Sequence, residues 1–277
     1  MTSFVQRLRS SRHGFWLGVS ERLRWSRGTC RETPARELTG LAAQEAQRIA
    51  ALQERYQLRF EDALNAATSR RNYEYLDILD RAWSDANLAP PAVGELCDVG
   101  CASFWYAAAL QAFFRPQHLT GIEVEGHRLY RDGHARCDYA AGYLEGLPQA
   151  RFIVADYTTL AHPADMICAW FPFVTPAAIL AWRLPLRLLQ PGRLFAQVAA
   201  NLTPAGRFVM VNHGPVEASA AAAYCTAAGL VREFGAAAGQ RAGVLSNYRS
   251  EVPLLSCWRP GRRPGVAQPP SDISIRY

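Results

Sequence analysis

The chain of 277 residues contains no lysine; all 30 of its basic residues are arginine. An Ala- and Arg-rich chain without lysine reflects genome base composition most simply, so the arginine total says little about function. Charge is sparse at 19%, and the hydrophobic fraction is 49%, which excludes a disordered chain and fits a globular protein with a sizeable core. Long apolar runs are missing as well. The richest, Ala218 to Ala223, is far short of the roughly 18 residues that a spanning helix needs. The near-apolar stretch Gly14 to Val19 is ended by Glu21, Arg22 and Arg24, with no small-residue cleavage site, so a signal peptide is not expected and the cytoplasm is the expected compartment. No CxxC occurs among the seven cysteines, and no His or Cys cluster completes a zinc set around Cys97 and Cys101. Free buried thiols in a reducing compartment are the expectation. GxGxxG and GxxxxGK[ST] are both absent, which weakens dinucleotide and P-loop readings.

What charge there is lies unevenly. Residues 1–31 hold seven arginines against Glu21 alone, which already equals the +6 of the whole chain. Phe4, Phe15, Trp16 and Trp25 are interleaved with them. Such an arm is either a solvated terminus or a surface for an anionic lipid or nucleic acid. A nucleic-acid domain would spread its charge over the folded body, so nucleic acid is not the expected partner.

Residues 35 to 87 read as helical. Arg36 to Tyr56 is rich in strong helix formers, and Tyr73, Leu76, Leu79, Asp80 and Trp83 recur at three and four. Pro90-Pro91 marks a boundary. Beyond it short apolar runs alternate with helical stretches. Strands are expected at Glu95–Val99, Leu119–Val124, Arg151–Ala155, Asp165–Trp170, Arg207–Asn212, Val231–Phe234 and Val252–Trp258, the last two as an antiparallel edge pair. Helices are expected at Phe104–Phe114, His127–Leu144, Pro176 towards Leu189, and Ala218–Gly229. The alternation predicts an α/β fold: a Rossmann-like, mainly parallel seven-stranded sheet flanked by helices, with an N-terminal helical extension. The expected divisions are a basic arm and helical extension over 1–90, the sheet domain over 91–260, and a flexible Pro-rich tail over 261–277.

The chemistry starts at Asp98-Val99-Gly100-Cys101-Ala102-Ser103, where a strand runs into a small-residue turn that opens a helix. Such a turn lets a ligand approach backbone closely at the carboxyl end of the first strand. The segment resembles the first motif of class I S-adenosylmethionine-dependent methyltransferases, an acidic residue, an apolar residue and Gly-x-Gly-x-Gly, with Ala102 and Phe104 in place of the second and third glycines. Phe104 is bulky and is expected to narrow or reshape the pocket. Thr120-Gly121-Ile122-Glu123 matches the family's ribose-binding strand end, with Glu125 as the fallback; a carboxylate accepts from two hydroxyls at once. Ile153-Val154-Ala155-Asp156-Tyr157 matches the strand end where an Asp faces the adenine amino group. The resemblance covers residues 93 to 258 and implies S-adenosylmethionine as cofactor. It would be held by Asp98, Gly100, Cys101, Ala102, Glu123, Asp156, Tyr157 and Trp170. Each acid has a plainer reading: Asp98 as a turn cap, Glu123 as a surface acid, Asp156 as a helix N-cap.

Methyl transfer needs a positioned nucleophile and a group to take its proton. Asn212-His213-Gly214 closes the fifth strand, so His213 is the candidate general base and Glu217 its orienting partner, the alternative being a His that only completes a turn. His127 and His134 are weaker candidates. Ala169-Trp170-Phe171-Pro172-Phe173 lacks the Asn/Asp-Pro-Pro-aromatic motif of base-methylating enzymes, so it reads as an apolar wall or a core cluster. A small-molecule acceptor and metal-independent chemistry are expected. Pro191-Gly192 and Pro204-Ala205-Gly206 are both candidates for the turn before the fifth strand, the second being favoured. Arg70, Arg71, Asn72, Tyr73 and Tyr75 are expected either to help close the pocket or only to pack on the sheet. The alternative function is a non-catalytic binding module that keeps the fold, tethered through its basic arm to a membrane or partner.

Overall fold

A computed structural model of the chain describes residues 3–235, 245 and 252–261. Most of the Pro-rich tail and the segment before the last strand lie outside these residues. Seven strands form one sheet: β1 (Glu95–Val99), β2 (His118–Glu123), β3 (Ala150–Val154), β4 (Ala164–Trp170), β5 (Leu202–His213), β6 (Leu230–Gly235) and β7 (Pro253–Pro260). Their order is β3-β2-β1-β4-β5-β7-β6, parallel from β3 to β5, with β7 antiparallel to both neighbours. The sheet is therefore the mainly parallel, seven-stranded one that the alternation predicted. The last two strands do pair antiparallel, but β7 inserts between β5 and β6 and leaves β6 alone at the edge. β6 is pinned there by a two-pronged ion pair from Arg207 to Glu233, at 2.7 and 2.9 Å.

Among the described residues eight α-helices accompany the sheet: α1 (Phe4–Leu23), α2 (Ala43–Tyr56), α3 (Ala66–Asp85), α4 (Ala107–Phe114), α5 (Arg136–Tyr143), α6 (Pro176–Ala181), α7 (Pro191–Asn201) and α8 (Gly214–Ala227). None is long and apolar enough to cross a membrane. Alternate residues of the strands feed two cores. Leu96, Met166, Cys168 and Val209 join Leu52, Leu76, Leu79 and Leu110 from α2, α3 and α4 on one face. Cys97, Ile167, Phe208 and Met210 join Phe195, Val198 and Cys225 from α7 and α8 on the other. α2 and α3 thus share one core with the sheet.

Several helices start later than composition suggests. α2 begins at Ala43 rather than near Arg36, because Arg36 and Gly40 hold φ of 68° and 69°, outside the helical region. α5 begins only at Arg136. The expected helix from His127 is instead a turn containing Gly133 at φ 83° and a bridge between Leu129 and Ala135. Asp138 starts α5 by accepting the Ala135 N–H at 2.9 Å. α7 opens on Pro191, so the first Pro-Gly pair starts a helix. Pro204–Gly206 lies just before Arg207, where the regular pairing of β5 with β4 resumes.

The N-terminal arm is folded onto the body. α1 has a reciprocal cap between Ser3 and Gln6 and buries Leu17. The segment after it runs as a strap over α5: the Arg27 N–H donates to the Asp138 carboxylate and the Cys30 N–H to the Asp138 backbone carbonyl, at 2.9 Å each, and the Ser26 hydroxyl donates to the carboxylate as well. The crossing is so close that a Cβ at Gly142 would fall 1.8 Å from the Cys30 carbonyl oxygen. Glu32 ends the strap, accepting from the Asn65 N–H, the Thr68 hydroxyl and the Tyr143 hydroxyl at 2.9–3.1 Å.

Candidate active site

Strand order reverses between β1 and β4, which opens a crevice at their carboxyl ends, the usual ligand site of an open α/β sheet. Gly100 lies on one side of it, and Trp170 and Phe171 on the other. Gly100, Ala102 and Phe104 all hold positive φ, 73°, 51° and 55°. These are the three glycine positions of the motif, so the loop keeps its left-handed shape although two side chains are not glycine. Such a conformation costs a non-glycine residue about 1–2 kcal/mol. Burial of Phe104 offsets that cost. Its ring is fully buried and lies beneath β2, where a Cβ on Gly121 would meet it at 2.5 Å. The expectation that Phe104 narrows the pocket is therefore replaced: the ring points down into the core, and Gly121 is the vacancy that receives it.

Glu123 at the end of β2 is 4% exposed. Its Oε2 accepts the Ala102 N–H at 2.8 Å, and its Oε1 accepts the Glu125 N–H at 2.9 Å and lies 3.2 Å from Arg136 Nη1. A carboxylate offers about four lone-pair positions, so roughly one remains for a ligand. Glu125 pairs with Arg128 and Arg136 at 3.0 and 3.3 Å. Asp156 is more open. It caps the short turn Tyr157–Thr159 through Oδ1, which accepts the Thr158 N–H and hydroxyl at 2.9 and 2.8 Å, leaving Oδ2 for a ligand's donor. Asp98 is fully buried; Tyr106 donates to its Oδ2 at 2.5 Å, and Oδ1 has no partner among the described residues. Burial, reinforced by the Glu123 charge, pushes the Asp98 carboxyl well above the usual carboxylate range.

Three cavities follow one another along this edge. The first, of about 110 Å³, is lined by Val99, Gly100, Asp156 and Tyr157. The second, of about 150 Å³, is lined by Gly100, Ala102, Glu123 and Trp170. The third, of about 750 Å³, is lined by Arg70, Tyr75, Tyr106, Trp170, Phe171 and His213 among others. Gly100 borders all three, and Ala102, Trp170 and Phe171 border the second and third. Asp98 and Cys101 are fully buried and line none of them. His213 caps α8, and its ring stacks on Phe171 at 3.9 Å with 8° between planes. Glu217 accepts the His213 backbone N–H at 3.3 Å.

The residues 70–75 divide by helix face. Arg70, Arg71 and Tyr75 line the large cavity, Tyr75 lying 3.9 Å from Trp170 and 4.5 Å from Tyr106 between ring centres. Asn72 and Tyr73 turn inward: Asn72 donates to the Trp105 carbonyl at 2.9 Å, and the Tyr73 hydroxyl donates to Glu61 at 2.7 Å. Trp105, Tyr106 and Trp182 line the cavity without having been singled out in the sequence; in apolar stretches nothing distinguishes a wall residue from a core residue. Away from these cavities, the strap brings Cys30 to Asp132 and His134, with ligand atoms within 4.8 Å of one another. Spacing alone could not pair residues a hundred positions apart. Asp132 already accepts the His134 N–H and the Tyr139 hydroxyl.

No family model and no curated protein matches the chain. Among solved structures it is similar to the N-methyltransferase NodS from Bradyrhizobium japonicum, at 14% identity over 69% of this chain and 97% of that one, with a TM-score of 0.48. A S-adenosylmethionine-dependent methyltransferase from Clostridium acetobutylicum is similar at 10% identity, over 78% and 99%, with a TM-score of 0.46. A TehB-like methyltransferase from Corynebacterium glutamicum is similar at 15% identity, over 78% and 98%, with a TM-score of 0.44. These likenesses are distant, and the functional reading rests on the chain's own residues.

Proposed function

We propose that this chain is an S-adenosylmethionine-dependent methyltransferase acting on a small-molecule acceptor. One observation carries the reading: at the β1/β4 switch point an acid-bordered groove runs from Asp156 past Glu123 into a large aromatic cavity bordered by His213. When bound, the cofactor supplies a methyl group already activated on a sulfonium. The donor set suits it. Asp156 Oδ2 would accept from the adenine amino group, and the free position on Glu123 from a ribose hydroxyl. The left-handed turn at Gly100 and Ala102 would lie against the ligand without a bulky side chain. The two small cavities, even together, are below the roughly 300 Å³ of a drug-sized site, but they share Val99, Gly100 and Val124 in their linings, and the second shares Gly100, Ala102 and Trp170 with the large cavity.

The protein's own part is positioning and proton removal. Tyr75, Tyr106, Trp170 and Phe171 wall the large cavity with aromatic surface, which holds a planar or apolar acceptor and limits water. Stacking on Phe171 fixes the imidazole plane of His213, which receives the acceptor's proton. A labelled-methyl assay against phenols, carboxylates and amines checks this. The wild type should label at least one class, and His213→Ala should lose about 10²–10⁴-fold in kcat, as removal of a general base does.

A second reading is a non-catalytic binding module with the same fold. The observation that favours it is the prior engagement of Glu123 with Ala102, Glu125 and Arg136. Cofactor binding with no label in any acceptor class would select it.

A further inference from the structure

α1 lies on the body by one face only. A Cβ at Gly14 would be 3.6 Å from the Pro185 Cβ, Ser10 Oγ accepts the Leu186 N–H at 2.9 Å, and Leu17 is buried. At 100° per residue these positions share one side of the helix. The opposite side carries Phe4, Val5, Leu8, Phe15, Trp16 and Leu23, all between 57% and 73% exposed. Trp25, 51% exposed, continues the patch and is held by its indole N–H donating to the Gly133 carbonyl at 3.0 Å. An aromatic and aliphatic face on a helix docked by its other side is a contact surface rather than ordinary scatter of exposed apolar residues.

Charge decides what covers it. Arg7, Arg9, Arg12, Arg22 and Arg24 lie among these residues with Glu21 as the only acid. Arg128 and Arg183 come close to the helix as well: with Arg12 and Arg9 they press on His13, which burial and these guanidinium charges push below its usual value. Two copies meeting through this face would bring like charges together. An anionic lipid surface instead takes the rings into its headgroup boundary and pairs its phosphates with the arginines. The helix cannot span the bilayer, so it lies in the plane. It is docked beside the segment that presents Trp182 to the large cavity.

We propose that α1 and Trp25 form a peripheral binding surface for anionic membranes. The test is co-sedimentation of the full chain with phosphatidylcholine vesicles, with and without phosphatidylglycerol, for the wild type and a Phe15→Ser/Trp16→Ser variant. Both residues are exposed, so the variant should keep its circular dichroism and its binding of S-adenosylhomocysteine. The wild type should bind the phosphatidylglycerol vesicles, lose binding as salt rises, and bind neutral vesicles poorly; the variant should bind about tenfold less or weaker. Absence of wild-type binding, equal binding to neutral vesicles, or equal binding by the variant would overturn the proposal. So would a salt-resistant dimer abolished by the same substitutions, which would make the face a contact between copies. None of these outcomes bears on the methyltransferase reading, which has its own ligand.

Discussion

Asp98 holds a carboxyl group in a fully buried place, with the Tyr106 hydroxyl donating to one oxygen and the other oxygen unpartnered among the described residues. Burial first, and then the Glu123 charge, hold its carboxyl well above the usual carboxylate range, with the Tyr106 bond opposing. The folded state therefore binds this proton more tightly than the unfolded chain does. That contribution is present at low pH and is lost as pH rises from the ordinary carboxylate range through the raised pKa. Asp98→Asn lacks this slope. Its melting temperature should gain on the wild type as pH rises through that window, by about 2–4 °C for each kcal/mol. A difference that stays constant with pH would show that Asp98 is ionised in the fold. Glu123 calls for a different substitution. Glu123→Ala would strip a partner from Arg136, itself buried, and cost about 3–5 kcal/mol, confounding any binding test. Glu123→Gln keeps an acceptor oxygen and removes only the charge. It should stay folded while binding S-adenosylhomocysteine about tenfold more weakly, as read by titration calorimetry.

At the scale of elements, the loop after β1 and the strand β2 are interdependent. The loop keeps its left-handed path with Ala102 and Phe104 only because β2 offers Gly121 as a place for the Phe104 ring. Gly121→Ala should cost about 1–3 kcal/mol by overpacking, and most of that cost should disappear in a Phe104→Ala background, leaving the 2.9 Å approach to Cys101 Sγ. Additive denaturation free energies in this double-mutant cycle would refute the coupling. The pair also shows where sequence reading stops. The order of strands and the acids at their ends are legible, because apolar runs, turns and strand-end residues are local signals. The direction of a side chain from a left-handed residue is not local, so Phe104 reads as an obstacle until β2 is in place. The same limit hides the strap: Arg27, Cys30 and Glu32 find partners at Asp138, Thr68 and Tyr143, and no periodicity announces such contacts. Helix starts at Ala43 and Arg136 fall later than composition suggests because backbone turns, at Gly40 and Gly133 among others, override propensity.

At the scale of the molecule, the parallel strands deliver their carboxyl ends to one edge, and the sequence-distant residues Gly100, Glu123, Asp156, Trp170 and His213 meet there. α3 roofs the large cavity with Arg70, Arg71 and Tyr75, and the chain's N-terminal strap ties α3 to α5 through Glu32. The central claim is that this edge holds S-adenosylmethionine. Its most direct test is calorimetric titration of the folded wild type and an Asp156→Ala variant with S-adenosylhomocysteine. Asp156 lies on the surface side of the groove, so the variant loses a turn cap but no core contact. The account predicts saturable wild-type binding that weakens about tenfold in Asp156→Ala, the worth of one ligand hydrogen bond to a charged acceptor. A folded wild type that takes up no ligand at millimolar concentration, or an Asp156→Ala variant that binds as tightly as the wild type, would contradict it.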